Sequence, residues 1–334
     1  MRHIPLSAIR EAATVVYQAA IRTPLVRLEF PFQSDTGPEV FLKLECLQPI
    51  GSFKIRGAWN AVRALPADVL REGVWTVSAG NAAQGVAFAA RKAGAPCSVM
   101  VMDTAPETKL RSVEKLGATI VKTTYDECWR TVEQHKSDRM RGTFVHPFDD
   151  DRFIAGNGTA GLEILEDLPD VDAIIAPLGG GGLLAGIGAA VRALKPGVKI
   201  FAAEPETASP LALSFERDEP SYFPTWTPSF VDGAGGKSVL PTMWPLLKQV
   251  VDASIVVSLD EVRAGMKRTA ERVHVVAEGA AACAVAAALR LAGPRSRQAP
   301  GLADARSGPG KIVAVVSGGN IDLATFAKLI DACP

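Results

Sequence analysis

Pro49-Ile50-Gly51-Ser52-Phe53-Lys54-Ile55-Arg56-Gly57-Ala58 places one lysine where a glycine- and serine-bearing loop gives way to a helix-like run, Arg56 to Leu65. Near the positive end of a helix an ammonium is disfavoured and a neutral amine is easier to reach. A neutral amine condenses with an aldehyde. The chain carries 36 lysines and arginines, most of which serve its surface, so Lys54 becomes a candidate only through the company it keeps.

Upstream, residues 5–21 read as an amphipathic helix with Ser7 as N-cap and Ile9, Ala12, Ala13, Val16 and Ala20 on one face. Val40 to Glu45 reads as a strand. Downstream, short apolar runs alternate with helical ones. Strands are expected at Val74–Ser78, Cys97–Val101, Ala118–Val121, Thr143–Val145, Ala173–Ala176, Lys199–Ala203, Ile255–Val257 and Ile312–Val316. Helices are expected at 82–93, 106–116, 125–135, 154–165, 183–193, 260–272 and 279–291, with one more closing the chain. This alternation predicts parallel sheets with helices on both faces. Residues 205–240 read as irregular and 293–310 as a surface loop.

Ligands of open parallel sheets sit at the carboxyl ends of the strands. Besides the Lys54 loop, three loops lie at such ends. Ser78-Ala79-Gly80-Asn81-Ala82 reads either as a cap and tight turn or as an anion site suited to a carboxylate. Pro177-Leu178-Gly179-Gly180-Gly181-Gly182-Leu183 has four adjacent glycines, which cost roughly 1 kcal/mol each in a regular element. Either it is a hinge, or its N–H groups wrap a phosphate. It has neither the GxGxxG spacing nor the GK[ST] of nucleotide loops. Val316-Ser317-Gly318-Gly319-Asn320 is a turn, or offers a hydroxyl to a ring nitrogen. An imine-forming lysine, a carboxylate loop, a phosphate cradle and a hydroxyl together meet the needs of pyridoxal phosphate.

Composition sets the outer bounds. The 334 residues suffice for two domains, and a formal net charge of zero gives no footprint for nucleic acid or an anionic membrane. No apolar run of membrane-spanning length and no secretory leader is visible. The five scattered cysteines, Cys46, Cys97, Cys128, Cys283 and Cys333, read as reduced thiols of a cytoplasmic protein. The four histidines have no metal-ligand spacing.

At these loops the chain resembles the serine/threonine dehydratase family, pyridoxal-phosphate enzymes of the tryptophan-synthase-β-like fold (fold type II) with serine racemase as a relative. The resemblance runs in order through residues 51–58, Ser78-Ala79-Gly80-Asn81, His146-Pro147-Phe148-Asp149-Asp150, Ile154-Ala155-Gly156, Gly179–Gly182, Ala203-Glu204-Pro205 and Ser317-Gly318-Gly319-Asn320. It implies a large domain of residues 1–50 and 148–334 and a small α/β domain of 51–147, in a homodimer. It implies that Lys54 binds the cofactor covalently and later moves the α-proton, that Phe53 packs by the ring, and that Asn81 meets its phenolic oxygen. Gly179, Gly180, Gly181, Gly182 and Leu183 would hold the phosphate, and Ser317 the ring nitrogen. Ser78, Ala79, Gly80, Asn81 and Ala82 would face the substrate. A neutral serine at the ring nitrogen favours prompt loss of a β-substituent over transamination. The implied reaction converts a β-hydroxy amino acid such as L-threonine or L-serine to a 2-oxo acid and ammonia.

The departures from the family pattern carry expectations too. Ala79 stands where racemases have a serine, so elimination is expected and racemisation is not. Ala82 replaces a usual histidine and widens the site, which makes room for a bulkier β-hydroxy amino acid of the 3-phenylserine or 3-hydroxyaspartate type. Glu204 and the Ala208 carbonyl match two ligands of a family cation site. Pro210 replaces a third, an aspartate, so a divalent ion loses a ligand while a monovalent ion can still be satisfied by carbonyls, and the alternative is that Glu204 pairs with a basic residue. The sequence ends soon after the last helix, so isoleucine feedback through an added domain is not expected.

Overall fold

The computed structural model describes residues 2–28, 38–293 and 310–332. Most of the 293–310 loop, and Cys333, lie outside them. In chain order come α1 (Leu6–Val15), β1 (Leu25–Arg27), β2 (Glu39–Lys43), α2 (Lys54–Arg63), α3 (Ala67–Glu72), β3 (Val74–Val77), α4 (Asn81–Ala93), β4 (Cys97–Met102), α5 (Glu107–Glu114) and β5 (Thr119–Thr123). Then follow α6 (Tyr125–Gln134), β6 (Thr143–Phe144), α7 (Asp151–Asp167), β7 (Ala173–Pro177), α8 (Gly182–Leu194), β8 (Lys199–Pro205), α9 (Pro210–Arg217) and α10 (Trp244–Val250). Last are β9 (Ala253–Val257), α11 (Leu259–Val273), α12 (Gly279–Ala292), β10 (Lys311–Val315) and α13 (Leu323–Asp331).

The strands form two sheets, a six-stranded one in the order β1-β2-β10-β7-β8-β9 and a four-stranded one in the order β5-β4-β3-β6. All neighbours are parallel except β1 with β2. Both faces of the large sheet are buried, as the period-2 pattern of its strands requires. Ile174, Ala176, Ile200, Ala202, Val313 and Val315 share one core with residues of α7 and α8. The alternating set, Ala173, Ile175, Phe201, Ala203, Ile312 and Ala314, shares another with α11 and α12. In the small sheet Val99 and Val101 join α2 and α4, while Trp75, Val77 and Met100 face the Cys128 and Val132 side of α6.

Four expectations need correction. Ser7 lies inside α1, whose N-cap is Pro5. The helix expected to run to residue 21 leaves α-geometry after Val15 and continues as a 3-10 turn to Gln18. The stretch read as irregular holds α9, begun by Pro210 and accepted end-on by Glu204. Two short helices, α3 and α10, went unforeseen. Each begins beside a proline in a run too short to show a periodic face.

A buried ionic knot ties β2, α2 and α7 together. Arg56 is wholly buried and donates through Nε and Nη2 to the Glu45 carboxylate at 2.8 Å each. It also donates to Glu163 at 2.6 and 3.0 Å and to Thr159 Oγ1 at 3.0 Å. Lys43, equally buried, meets Glu163 at 2.6 Å and donates to the Thr23 carbonyl at 2.7 Å. Tyr17 donates its hydroxyl to Glu163 at 2.7 Å. Two cations and two anions thus neutralise one another where neither sign alone would be tolerated. Truncation at Arg56→Ala leaves Glu45 and Glu163 buried without their cation, and is expected to lower unfolding stability by about 3–5 kcal/mol in urea titrations. A loss below about 1 kcal/mol, the range of surface pairs, would contradict the arrangement.

Candidate active site

Lys54 opens α2 and Phe53 is its N-cap. The Phe53 amide donates to the Ser317 carbonyl at 3.0 Å, and Ser52 bridges Gly318 in antiparallel fashion. Asn320 Nδ2 donates to the Ile50 carbonyl at 2.8 Å. The first and fourth loops are therefore stitched into one floor. The second loop is joined to them by side chains. Asn320 Nδ2 also donates to Asn81 Oδ1 at 2.7 Å, and Asn81 Nδ2 donates to Glu278 Oε1 at 2.7 Å.

The third loop arrives through the 146–150 segment. Lys54 Nζ donates to the Pro147 carbonyl at 2.6 Å. The next residue, Phe148, lies against the glycines, so that a Cβ on Gly180 would stand 2.1 Å from its ring. Gly181, at φ +91°, caps α8, a backbone setting that glycine adopts without strain. Gly179 and Gly180 are half-buried, while Gly181, Gly182 and Leu183 are buried at the start of α8. Lys54, Phe53, Asn81, the four glycines and Ser317 are thus brought to one place.

Ser78, Ala79 and Gly80 follow β3, and Asn81 opens α4. Ser78 Oγ accepts from the Gly80 amide at 3.1 Å, which makes the tight turn, while Gly80 and not Ser78 is the N-cap. Ser78, Ala79, Gly80 and Asn81 are half-buried, and Ala82 is buried. Glu204 and Ala208 lie apart from this floor, at the end of β8. Both Glu204 oxygens are in use, accepting from the Leu211 and Ala212 amides at 2.8 Å each and from the Ser254 hydroxyl.

Electrostatics follow from burial. Lys54 is pulled down from 10.5 to about 8 by desolvation, so the amine is neutral far more readily than an exposed lysine. Glu278 is pushed up to about 7 by burial and by the charge of Asp232, against the Asn81 hydrogen bond. Glu204 rises to about 7 by burial, against the bonds from Ser254 and the α9 amides.

Sequence reasoning missed Glu278, and gave Phe148 and Asn320 no role of their own although both lie in the motifs it singled out. For Glu278 a signal existed: an acid directly before the glycine-led, alanine-rich run of α12 marks a helix N-terminus. It also did not foresee that His135, His146 and Asp149 would meet, with ligand atoms within 4.8 Å of one another. Both ring nitrogens of His146 are already engaged. Nδ1 accepts from the Phe148 and Asp149 amides at 3.2 and 2.7 Å, and Nε2 lies 3.1 Å from the Val132 carbonyl, so His146 stiffens the 146–150 turn.

A lysine at a sheet's carboxyl edge, facing a glycine cradle between two parallel sheets, defines a pyridoxal-phosphate enzyme of the tryptophan-synthase-β-like fold. Residues 16–318 match the family described as "Pyridoxal-phosphate dependent enzyme". An L-threonine ammonia-lyase of Geobacter sulfurreducens is 36% identical over 98% of this chain and 78% of its own length. Maize serine racemase superposes with a TM-score of 0.86 at 32% identity, covering 98% of this chain and 97% of the other. A threonine deaminase isoform from Solanum lycopersicum gives 0.84 at 29% identity, covering 99% and 95%. The chain belongs to the pyridoxal-phosphate-dependent enzymes, in their serine/threonine dehydratase family. By that membership it is a pyridoxal-phosphate-dependent ammonia-lyase.

The residues present fit that cofactor on observations of this chain alone. The cradle closes if any side chain replaces Gly180. The hydroxyl of Ser52, two residues before Lys54, is buried without a hydrogen-bond partner, as is Asn157 Oδ1, whose amide nitrogen donates to the Gly182 carbonyl at 3.3 Å. Such orphaned groups are rare in native interiors, and these two, beside Lys54 and at the glycine loop, are free to meet a polar ligand there.

The lowered amine gives a pH prediction. Cofactor-free protein mixed with pyridoxal phosphate is expected to capture it faster as pH rises, with a midpoint near 8. The folded value lies below the unfolded 10.5, so burying the ammonium costs stability below pH 8, and that cost fades between 8 and 10.5. Capture with a midpoint near 10.5 would contradict a desolvated Lys54.

Proposed function

We propose that this ammonia-lyase dehydrates β-hydroxy amino acids of the L-threonine and L-serine kind to a 2-oxo acid and ammonia. The observation that carries the proposal is the Lys54 amine on the Pro147 carbonyl, one residue from the ring that floors the glycine cradle. Phe53, Asn81, the backbone of Gly179 to Leu183 and the Ser317 hydroxyl would hold the cofactor, with Lys54 bound covalently to it. Ser78, Ala79, Gly80, Asn81 and Ala82 would receive the substrate, its carboxylate on the amides that open α4.

Pyridoxal phosphate, when bound, draws electrons from Cα of an amino acid and so acidifies its C–H bond. Lys54 Nζ, released from its bond to the cofactor when the substrate's amine takes its place, would take that proton, and burial, which lowers its pKa to about 8, makes its neutral form easier to reach than that of an exposed lysine. As the Cα–H bond breaks, the Cβ–O bond breaks, and hydroxide departs as water, the proton it gains balancing the one lost from Cα. The unsaturated amine that is released tautomerises, and water hydrolyses it to the 2-oxo acid and ammonia. Ala79 offers no hydroxyl for proton delivery to the opposite face, which supports elimination over racemisation.

Residues 51–147 are taken as the small domain, and 1–50 with 148–334 as the large. In support, β3 to β6 form one sheet and the remaining strands the other. Lys109 of α5 pairs with Asp232, next to the Gly233 carbonyl that faces Gly179, so the two units meet at the mouth of the cleft. Closure there on substrate would exclude water. The homodimer rests on the resemblance, and a cytoplasmic setting on the scattered cysteines. Among the described residues no helix is long and apolar enough to cross a membrane. Glu204 and the Ala208 carbonyl are proposed at most as two ligands of a monovalent cation, and no step runs through them.

Purified holoenzyme given L-threonine or L-serine is expected to release 2-oxo acid and ammonia in equal amounts, with no D-serine. Lys54→Ala should lower the rate by roughly 10³-fold or more through loss of the proton-transfer group. Accumulation of D-serine, or full activity in the Lys54 variant, would refute the proposal.

A further inference from the structure

Beside the Ser78-Ala79 turn, between the small sheet and α6, lies a cavity of about 140 Å³. Val77, Met100, Met102, Cys128, Trp129 and Val132 line it together with that turn. It sits at the carboxyl edge of β3 and β4 and at the first half of α6, where Tyr125 closes one side. Lys237 of the other unit rests its amine 4.4 Å from the centre of the Tyr125 ring and 4.5 Å from that of Trp226. The cavity thus shares Ser78 and Ala79 with the turn assigned to the substrate, and Tyr125 on its wall also meets Lys237 of the other unit.

Three features fix what it takes. No arginine, lysine, histidine or carboxylate is among the lining residues, so a charged β-substituent would enter without a partner. Apolar cavities of about 150 Å³ stay dry and accept a benzene ring. The flexible, polarisable side chains of Met100 and Met102 favour aromatic contact.

We propose that this cavity holds the β-substituent of the substrate, and that the substrate is a β-aryl-β-hydroxy amino acid such as 3-phenylserine. This deepens the elimination reading and rests on it. The amino group and carboxylate stay at the Lys54 floor, and the ring points into the Met100–Cys128–Val132 space. Elimination breaks the Cα–H and Cβ–O bonds, and water hydrolyses the product to an aryl 2-oxo acid and ammonia. A 3-hydroxyaspartate would put its second carboxylate into the same uncharged space and is turned away.

The test uses the holoenzyme with 3-phenylserine and L-threonine, following 2-oxo acid and ammonia, and calorimetry with the unreactive pair L-phenylalanine and L-alanine. The expected kcat/KM favours 3-phenylserine by at least about 10-fold, with L-phenylalanine binding at least about 10-fold tighter than L-alanine. Filling the cavity with Cys128→Phe, or with Val132→Phe should the first variant fail to fold, should reduce both ratios about 10-fold or more. Preference for L-threonine with equal binding of the two unreactive ligands overturns the cavity assignment and leaves the elimination reading standing. Tighter L-phenylalanine binding without any 2-oxo acid, or with benzaldehyde and glycine as products, sustains the cavity but defeats the elimination reading, and with it the substrate proposed. Ratios unmoved by the filling variants place the ring elsewhere and overturn the proposal.

Discussion

The Arg56 guanidinium fixes where this chain can do chemistry. It lies two residues after Lys54, on the first turn of α2, and has no exposure. Its fork grips Glu45, just after β2, and Glu163 on α7, elements that belong to different parts of the chain. A planar, always-charged group with five donors suits such a junction, and a lysine in its place would reach one carboxylate at a time. A packed apolar cluster is often no less stable than such an ionic one, so what the ions add here is directional contact between α2, α7 and the end of β2. It settles how α2 is set against β2 and α7, and through them where Lys54 stands against the glycine loop.

From that anchor the site is assembled by backbone more than by side chains. The Phe53 amide and Ser317 carbonyl, the Ser52–Gly318 bridge and the Lys54–Pro147 contact bring three distant parts of the sequence to one floor. Phe148 packs so closely on Gly180 that no side chain fits between them. Asn81, held between Asn320 and Glu278, locks the turn that opens α4. A geometry determined this thoroughly can keep a lysine amine desolvated, as catalytic lysines require.

Much of this was legible in the sequence. Strand-helix alternation pointed to parallel sheets because the central strands are buried on both faces and bounded by turn residues, as at Ala173–Pro177 and Lys199–Pro205, while the division into two units came from the family resemblance. The four loops stood out because glycine, serine and asparagine were concentrated at strand ends. What stayed hidden depends on pairing across the chain. Nothing near Arg56, Glu45 or Glu163 reveals that three charged residues more than ten positions apart will be buried together. Glu278 reads as an ordinary acid until β10 and α4 bring Gly318 and Asn81 to it. The helix α9 was lost among prolines and serines because its N-terminus is satisfied by Glu204, a residue of the preceding strand. The cavity beside Ala79 was not legible, since its walls come from β3, β4 and α6 and do not include Ala82, the residue from which a wider site was expected.

The claim at the centre is chemical identity: one amine, on Lys54, joins the cofactor. Reducing the holoenzyme with borohydride freezes that bond, and mass spectrometry of its peptides then reports the residue that carries it. The pyridoxyl group is expected on the peptide bearing Lys54 and on no other in equal yield. A label on a different lysine, or spread evenly over surface lysines, would contradict the account.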